Sequence, residues 1–386
     1  MKIAYCIDTI TALGGIERVT IAKANALANV ENNTVYLVVT SNHGIPVLPV
    51  NPQIKIIDLK VNYFEDYGKS PYQIYWTLYQ KRKEHKKKLT LFIKEKQPDI
   101  LISTSNSEKH FIKSLSISHH TIIIRELHFC THYRLIEAQT PFQKLLARIA
   151  HLFDYHWNMK NIDQTVLLTN EDKELHWKEK NKVSVIPNPI IFQSPYPPST
   201  TKEKKVIAAG RLVYQKNFSS LIRTWKQVAE KHPDWILEIY GEGVLKIELE
   251  SLITELNLKR HVFLKGKISD IFRAMSNSSI FILSSIYEGL PLVIIEAMSC
   301  GLPVVSYTCP CGPKDIIKDG KDGFLVNVND EIELANKINL LIENEELRKQ
   351  MSDAAKNKAK QYNIENITFQ WMNLFRTLQM KKNKNK

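Results

Sequence analysis

Short runs of apolar, largely β-branched residues alternate along the chain with longer segments in which apolar residues recur at helical spacing. This alternation is typical of βαβ units, in which helices join parallel strands. In the first half of the chain the runs predict strands at 2–8, 34–40, 54–58, 99–103, 121–125, 164–168 and 182–186. The pattern therefore predicts an α/β protein built on parallel sheets.

Two proline clusters, at 187–189 and 194–199, interrupt the alternation and predict an interdomain linker. After them the pattern predicts strands at 206–209, 235–240, 262–264, 280–283 and 303–307, and helices at 218–231, 245–256 and 291–299. A chain of 386 residues also exceeds the usual size of one hydrophobic core. We expect two tandem Rossmann-like doubly wound domains over 1–190 and 191–365, followed by a C-terminal helix and a frayed basic tail over 366–386.

The composition, 44% hydrophobic and 24% charged residues, is typical of a soluble globular protein. No apolar run is long enough to span a bilayer, and the N-terminal run contains Asp8, which predicts a strand rather than a secretion signal. Five scattered cysteines favour a reducing compartment, and so a cytoplasmic location. Cys309 and Cys311 lack further ligands at zinc-like spacing, so we favour a turn with two thiols over a metal site.

The net charge of +13 predicts an anionic partner: nucleic acid, a phosphorylated substrate or an anionic membrane surface. Residues 81–88 hold six fixed positive charges, directly after the aromatic segment 72–79. A helix of this kind either lies at lipid headgroups or has a solvated basic face with its aromatics packed inward, and both remain open. The apolar residues of 142–160 are a second candidate for a membrane anchor, but we expect them to be core. No nucleic-acid-binding module is recognisable, so nucleic acid is not expected as a partner.

Two predicted strands end in glycine-rich loops. Gly14 and Gly15 follow the first strand, and Gly241 and Gly243 follow the strand at 235–240. Glycines at such positions allow the backbone to approach a phosphate or a base, although a tight turn explains them equally well. The dinucleotide fingerprint G-x-G-x-x-G is absent.

The loop 210–217 carries Arg211 and Lys216 between a predicted strand and a helix that we expect Asn217 to cap. Arginine offers a planar fork and lysine a point charge, so the two together suit a diphosphate. Two solvated cations are the alternative. The position at the carboxyl end of a strand favours phosphate.

The segment 284–301 contains two glutamates, Glu288 in a loop and Glu296 in the helix that follows Pro291. Glu296 is embedded in the apolar run 292–297, where a carboxylate needs a partner. A carboxylate accepts two hydrogen bonds, so the diol of a ribose is a suitable partner.

Glu288 and Glu296, in the context S-x-Y-E-G-x-P-x-x-x-x-E-A-M-x-x-G-x-P, resemble the E-x7-E motif of the retaining glycosyltransferases of family 4. Residues 210–217 are similar to that family's G-R-L-x-x-x-K-N loop, residues 185–188 to its domain junction and residues 14–17 to its first glycine loop. The resemblance implies a GT-B fold, with two Rossmann-like domains facing each other across a cleft and the final helix returning to the first domain.

The resemblance also implies roles for individual residues. Arg211 and Lys216 would hold the donor diphosphate, Glu296 the ribose, and Glu288 the donor sugar. The remaining residues implied at the donor site are Gly289, Leu290, Pro291, Gly241, Gly266, Lys267 and Gly15, of which Gly266 and Lys267 would lie beside the base.

Two positions leave the resemblance less complete. His128 stands where related enzymes place a histidine near the donor sugar and the acceptor, and a structural histidine is the alternative there. The segment 309–317 resembles a C-P-x-G-P-x-(D/E)-I-I stretch of polysaccharide-assembly members, with Asp315 where glutamate is usual.

Metal-using transferases generally carry a D-x-D motif, and this chain has none. Negative charge on the leaving diphosphate would then be met by Arg211, Lys216 and a helix N-terminus. No residue identifies itself as a covalent nucleophile, so we favour attack by the acceptor on the same face.

The predicted function is a retaining hexosyltransferase without cofactor or metal, acting from a nucleotide-sugar, with UDP preferred, on a glycan or lipid-linked acceptor in cell-surface polysaccharide synthesis. We expect it in the cytoplasm, peripheral to the inner face of the membrane. The alternatives are a nucleotide-sugar epimerase and a non-catalytic nucleotide-sugar-binding protein of the same fold.

Overall fold

The computed structural model describes residues 1–12, 14–41, 44–63, 71–105, 107–115, 121–138, 140–154, 162–177, 180–192 and 194–384. The chain forms two compact units. The first unit consists of Met1–Leu167, His176–Ile191 and Ile364–Lys386, and the second of Leu168–Leu175 and Phe192–Asn363.

Each unit contains one parallel sheet. The strands in chain order are β1 Lys2–Ile7, β2 Thr34–Val39, β3 Lys55–Asp58, β4 Ile100–Ser103, β5 Ile122–Glu126, β6 Gln164–Leu167, β7 Val183–Val185, β8 Lys205–Ala209, β9 Ile236–Tyr240, β10 Val262–Gly266, β11 Ile280–Leu283, β12 Val304–Tyr307 and β13 Gly323–Val326. The sheet of the first unit has the order β3-β2-β1-β4-β5-β6-β7, and that of the second has the order β10-β9-β8-β11-β12-β13. The predicted α/β class with two doubly wound sheets is confirmed.

Helices join most of the successive strands in the described residues. In chain order they are α1 Gly15–Ala28, α2 Pro71–Lys96, α3 Tyr133–Glu137, α4 Pro141–Leu152, α5 Asn170–His176, α6 Phe218–Lys231, α7 Lys246–Glu255, α8 Ile271–Ser276, α9 Leu292–Ser299, α10 Pro313–Ile316, α11 Glu331–Glu343, α12 Glu345–Ala359 and α13 Ile364–Lys384. No helix of the described residues has the length and hydropathy that a membrane crossing requires.

Successive residues of a strand point to opposite faces of its sheet. In the first sheet the residues on both faces are buried. Ile3 and Tyr5 of β1 pack in one core with Trp371 and Phe375 of α13. The alternate residues, such as Cys6, pack in a second core that includes residues of α2. The second unit has a core of its own around β8, β9, β11 and α6.

The C-terminal helix is more ordered than the sequence predicts. We expected a frayed basic tail, yet α13 continues to Lys384. Lys382 donates a hydrogen bond of 2.6 Å to the carbonyl oxygen of Thr121 and lies 3.7 Å from a carboxylate oxygen of Asp163. These polar contacts, together with the buried apolar residues of α13, hold the helix on the first unit.

The segment Leu168–Leu175 belongs to the second unit, whereas the sequence pattern predicts it in the first domain. Asp315 accepts hydrogen bonds from the backbone N–H groups of Asn170 (2.6 Å) and Glu171 (3.1 Å). The Glu171 carboxylate accepts in turn from the Cys311 N–H at 2.9 Å. Asp315 thus satisfies the first N–H groups of α5 and ties this segment to the second unit.

Candidate active site

The second sheet has a topological switch point between β8 and β11. The chain leaves β8 toward β9 and leaves β11 toward β12, in opposite directions across the sheet. In open parallel sheets, ligands bind at such a point, outside the carboxyl ends of the strands. The two loops that meet there are 210–217 after β8 and 284–291 after β11, which are the two loops with the most informative motifs.

The structure brings Lys216 and Glu288 together across this switch point. The Lys216 ammonium donates to Glu288 Oε1 at 2.6 Å, and the Ser285 hydroxyl donates to the same oxygen at 2.6 Å. Both side chains of the ion pair are largely buried, 15% and 8% exposed. An ammonium has three N–H donors, so two remain for a ligand after the bond to Glu288.

Further hydrogen bonds hold the two loops against each other. The Ile286 N–H donates to the Gln215 carbonyl oxygen at 2.9 Å, and the Gln215 side-chain amide donates to the Tyr287 carbonyl oxygen at 2.9 Å. The Ser284 hydroxyl donates to the Lys216 carbonyl oxygen at 2.7 Å. The position of the Lys216 side chain is therefore fixed by its backbone as well as by Glu288.

Gly241 is required by its conformation and by its neighbours. Its φ is +146°, and a Cβ there would overlap the Gly210 carbonyl oxygen. Its N–H donates to the Gly266 carbonyl oxygen at 2.9 Å. The ends of β8, β9 and β10 are thus joined by backbone alone, which leaves the edge open to a ligand. Lys267 follows Gly266 with an exposed side chain.

Asn217 does not cap α6 in the predicted way. It precedes the helix with a left-handed backbone, φ +51°, and its side chain makes no cap hydrogen bond. The side-chain amide donates to Asn329 Oδ1 at 2.9 Å instead. Arg211, at the other end of this loop, has an exposed side chain.

The Cys309–Gly312 turn packs against the loop that precedes α9. The Glu288 N–H donates to the Pro310 carbonyl oxygen at 3.2 Å. Gly312 has φ +117°, and a Cβ there would clash with the Pro291 ring. Both cysteine side chains of the turn are buried. This segment therefore shapes the Gly289–Pro291 backbone beside Glu288.

Glu296 lies on α9, as predicted, but it is half-buried rather than fully enclosed. Its neighbours Ile294, Ile295, Ala297 and Met298 are fully buried. The apolar run is therefore the core-facing part of a short helix, and Glu296 is on the side that reaches the surface. This placement leaves its carboxylate accessible to a ligand.

The first unit has its own switch point, between β1 and β4. A cavity of about 100 Å³ lies at the carboxyl ends of these strands and of β5. Its lining includes Asp8, Glu17, Arg125, Glu126 and His128. The predicted Gly15 begins α1 at this edge and has no atom within 4 Å of where a Cβ would be.

His128 is a buried histidine whose ring nitrogens have no hydrogen-bond partner among the described residues. Its Nε2 lies 3.6 Å from Glu126 Oε1, and its side chain is 3% exposed. Burial lowers the pKa of His128 to about 4, with Glu126 opposing and Lys23 assisting the shift. The ring is therefore neutral at neutral pH. It does not have the hydrogen bonds of a satisfied structural histidine.

Glu126 is held by a buried lysine that was not identified from the sequence. Lys23 of α1 donates a hydrogen bond to Glu126 Oε1, and both side chains are at most 2% exposed. The Lys23 ammonium also lies over the Trp371 ring, 5.2 Å from its centroid. Burial lowers the pKa of Lys23, and Glu126 opposes this. The signal in the sequence that could have identified it is a lysine within the largely apolar helix α1.

A second buried ionisable cluster surrounds Asp8. Ser107 donates to Asp8 Oδ1, while Ser103 and Ser105 each donate to Glu108 Oε2 at 2.7 Å. Burial, together with the nearby Glu108 charge, raises the pKa of Asp8. The side chain of Arg125 donates to Ser103 and to the Ser105 carbonyl oxygen. Apart from Asp8 at the end of an apolar run, no sequence pattern indicates this cluster.

Comparisons with known proteins indicate the family of this chain. The family model described as Glycosyl transferases group 1 matches residues 192–358. An uncharacterized glycosyltransferase of Haemophilus influenzae is 31% identical over 380 residues, which cover 96% of this chain and 98% of that protein. The GalNAc-alpha-(1->4)-GalNAc-alpha-(1->3)-diNAcBac-PP-undecaprenol alpha-1,4-N-acetyl-D-galactosaminyltransferase of Campylobacter jejuni is 27% identical over 380 residues, with 97% and 98% covered.

Solved structures show the same fold at low sequence identity. Sucrose-phosphate synthase from Thermosynechococcus elongatus superposes with a TM-score of 0.79 at 18% identity, covering 98% of this chain and 99% of that one. A point mutant of TarM from Staphylococcus aureus, solved with fondaparinux, alpha-GlcNAc-glycerol and UDP, superposes with a TM-score of 0.72 at 17% identity, covering 97% and 99%.

The two doubly wound units have the two-domain α/β fold of the GT-B glycosyltransferases. The chain belongs to the group 1 glycosyltransferases, the family 4 type that its motifs predict.

Proposed function

We propose that the protein is a retaining, metal-independent glycosyltransferase. It transfers a hexose or an N-acetylhexosamine from a nucleotide-sugar, with UDP preferred, to a glycan or lipid-linked acceptor in cell-surface polysaccharide synthesis. The observation that carries the proposal is the Lys216–Glu288 pair at the switch point of the second sheet. Exposed Arg211 lies in the same loop as Lys216, and half-buried Glu296 lies on the helix that follows the loop of Glu288.

Charge explains why these side chains suit a nucleotide-sugar. Cleavage of the bond between the sugar C1 and the phosphate oxygen leaves its electron pair, and so negative charge, on the diphosphate. Arg211 supplies a full positive charge, and Lys216 supplies two N–H donors in addition to its bond with Glu288. The Arg211 charge and the Lys216 N–H donors are in place before the reaction, so the proposed mechanism uses them, rather than a metal, to stabilise the leaving group.

The acceptor oxygen would form the new bond to C1 on the same face from which the phosphate leaves, and its proton would pass to a phosphate oxygen. This course gives retention without a covalent intermediate on the protein. Glu288, held by Lys216 and Ser285, would orient a donor-sugar hydroxyl. Neutral His128, with unpartnered ring nitrogens among the described residues, is suited to a hydroxyl of the donor or of the acceptor.

The kind of acceptor is supported by the relatives and by the surface of α2. The Campylobacter enzyme is named for an undecaprenol-linked glycan. Helix α2 exposes Tyr75, Trp76 and Tyr79 beside the basic residues Lys83 and Lys87. Such a surface suits a lipid-linked substrate at the cytoplasmic face of a membrane.

Transfer tests this proposal directly. The purified protein would be incubated in EDTA with UDP-, GDP- and ADP-sugars and with undecaprenyl-diphosphate-linked glycans, and the product linkage determined by NMR. We expect an α-linked product from an α-linked UDP-sugar. An inverted linkage would contradict retention, and epimerised donor without transfer would identify an epimerase. Binding of a nucleotide-sugar without turnover of any donor would identify a binding protein.

A further inference from the structure

Helix α4 has an apolar face that points away from the first unit. We define the α4 apolar face by the exposed apolar side chains of α4 and of the residue directly after it, which are between 44% and 68% exposed: Phe142, Leu145, Leu146, Ile149, Leu152 and Phe153. The sequence pattern predicts these residues in a core, and the structure contradicts that prediction. Among the residues described for α4, Ala147 alone is buried.

Helical geometry places all of these side chains on one side. At about 100° per residue they fall within an arc of roughly 120°, opposite Ala147. Lys144 and Arg148, both exposed, lie between this arc and the side that contacts the protein. The helix thus has an inner side toward the first unit, an outer apolar side and a basic flank.

This helix is well formed at its N-terminus. Thr140 accepts a hydrogen bond from the Gln143 N–H at 3.2 Å, and the Gln143 side chain accepts from the Thr140 N–H at 3.1 Å. Pro141 occupies the first turn. Because a capping box fixes this start, the exposure of the apolar face is a property of an ordered helix.

The charge around α4 indicates which kind of partner binds the α4 apolar face. The sequence of α4 contains no aspartate or glutamate. Nearby, the cations Lys109 and Arg134 both contact Asp154. Burial, together with the positive charges of Arg82 and Lys109, lowers the pKa of His110 to about 4. A second copy of the chain docked on this face would bring the two sets of cations together. An anionic bilayer has both an apolar interior and the opposite charge.

We propose that α4 is a membrane-docking helix, whose apolar face enters the acyl-chain boundary of an anionic bilayer while Lys144 and Arg148 contact lipid phosphates. The proposal rests on the lipid-linked acceptor proposed above, because access to that acceptor is the function that membrane docking would serve. Vesicle binding itself requires neither donor nor acceptor, so the two proposals can fail separately.

Vesicle flotation tests the proposal with the full chain. Vesicles of phosphatidylcholine containing about a quarter phosphatidylglycerol are compared with pure phosphatidylcholine. We expect binding to the anionic vesicles that falls at least about tenfold in Leu145→Ser/Ile149→Ser and falls with added salt. Ile332→Ser/Phe369→Ser removes two apolar side chains elsewhere that are more exposed than Leu145 and Ile149, and it is expected to bind like the wild type. Lys144→Glu/Arg148→Glu is expected to lose the preference for anionic lipid.

Insertion is measured separately from adsorption. The five native cysteines are buried, so Leu146→Cys provides a selective site for an environment-sensitive dye, with Ile332→Cys as the control. We expect a blue shift with anionic vesicles at residue 146 only. Absence of wild-type binding, or binding unchanged in Leu145→Ser/Ile149→Ser, would overturn the proposal. So would a dimer, seen by sedimentation without vesicles, that the same substitutions dissociate. Retained donor hydrolysis in Leu145→Ser/Ile149→Ser will show that this variant is folded.

Discussion

Replacing Lys216 by methionine removes the ammonium and keeps most of the side-chain volume. The lost group is bonded to Glu288 at 2.6 Å and has two further N–H donors for the leaving diphosphate. Charge-assisted hydrogen bonds contribute about 1.5–3 kcal/mol each, so the loss of two costs about 3–6 kcal/mol and predicts a fall in kcat/KM of roughly 10²–10⁴-fold.

The same substitution also has a cost in stability, which must be separated from catalysis. It leaves the Glu288 carboxylate, whose side chain is 8% exposed, with the Ser285 hydroxyl as its remaining hydrogen-bond donor among the described residues. Breaking a buried ion pair costs about 3–5 kcal/mol, and partial exposure of Lys216 lowers this to about 2–3 kcal/mol. The double variant Lys216→Met/Glu288→Gln has no unpaired charge, so we expect it to recover most of the free energy of unfolding but none of the activity.

The assay combines nucleotide release in EDTA with urea unfolding of the same preparations. Lys226→Met, an exposed lysine on α6, is the control and is expected to stay within about twofold of the wild type in rate. A Lys216→Met protein with near-normal kcat/KM would refute the assignment of Lys216 to the diphosphate. Recovery of activity in the double variant would show that the lysine acts only by neutralising Glu288.

Three further predictions concern single residues. Gly241→Ala places a Cβ against the Gly210 carbonyl oxygen at φ +146° and is expected to cost at least about 3 kcal/mol of unfolding free energy. Gly320→Ala, at φ +72° in open space, should cost about 1 kcal/mol. Equal urea midpoints for the two variants would contradict this account. Glu296→Gln is expected to weaken UDP binding by about 10–100-fold in calorimetry, because its half-buried carboxylate would lose the charge-assisted hydrogen bonds that we propose it makes to the ribose. Unchanged affinity would remove the ribose assignment. Burial lowers the pKa of His85 to about 4, so the unfolded chain binds a proton at this position before the folded chain does as the pH falls. Between about pH 6.5 and about pH 4 the wild type should therefore lose about 3 kcal/mol more unfolding free energy than His85→Asn. Parallel pH profiles of the two proteins would exclude this contribution.

The strands were predictable because parallel strands buried on both faces form continuous apolar runs. Each of the seven strands predicted in the first half is present, as is β11 at the predicted bounds 280–283. The motif loops were predictable for a related reason. Glycines such as Gly241 adopt backbone conformations, and allow contacts, that other residues do not.

What the sequence could not predict depends on contacts between distant positions. Lys216 and Glu288 are 72 residues apart, and no local pattern indicates that they pair. The buried Lys23–Glu126 pair spans 103 residues. Periodicity predicts that α4 has an apolar face, but whether another element covers that face is decided by tertiary structure.

The central claim is that the loops at the second switch point cleave a nucleotide-sugar without a metal. Nucleotide release from a UDP-sugar in EDTA tests it most directly, with Glu296→Ala and Lys216→Ala beside the wild type. We predict release by the wild type that added Mg²⁺ does not increase and that each substitution lowers by at least about tenfold. Release that requires Mg²⁺, or release at the wild-type rate in both variants, would contradict it.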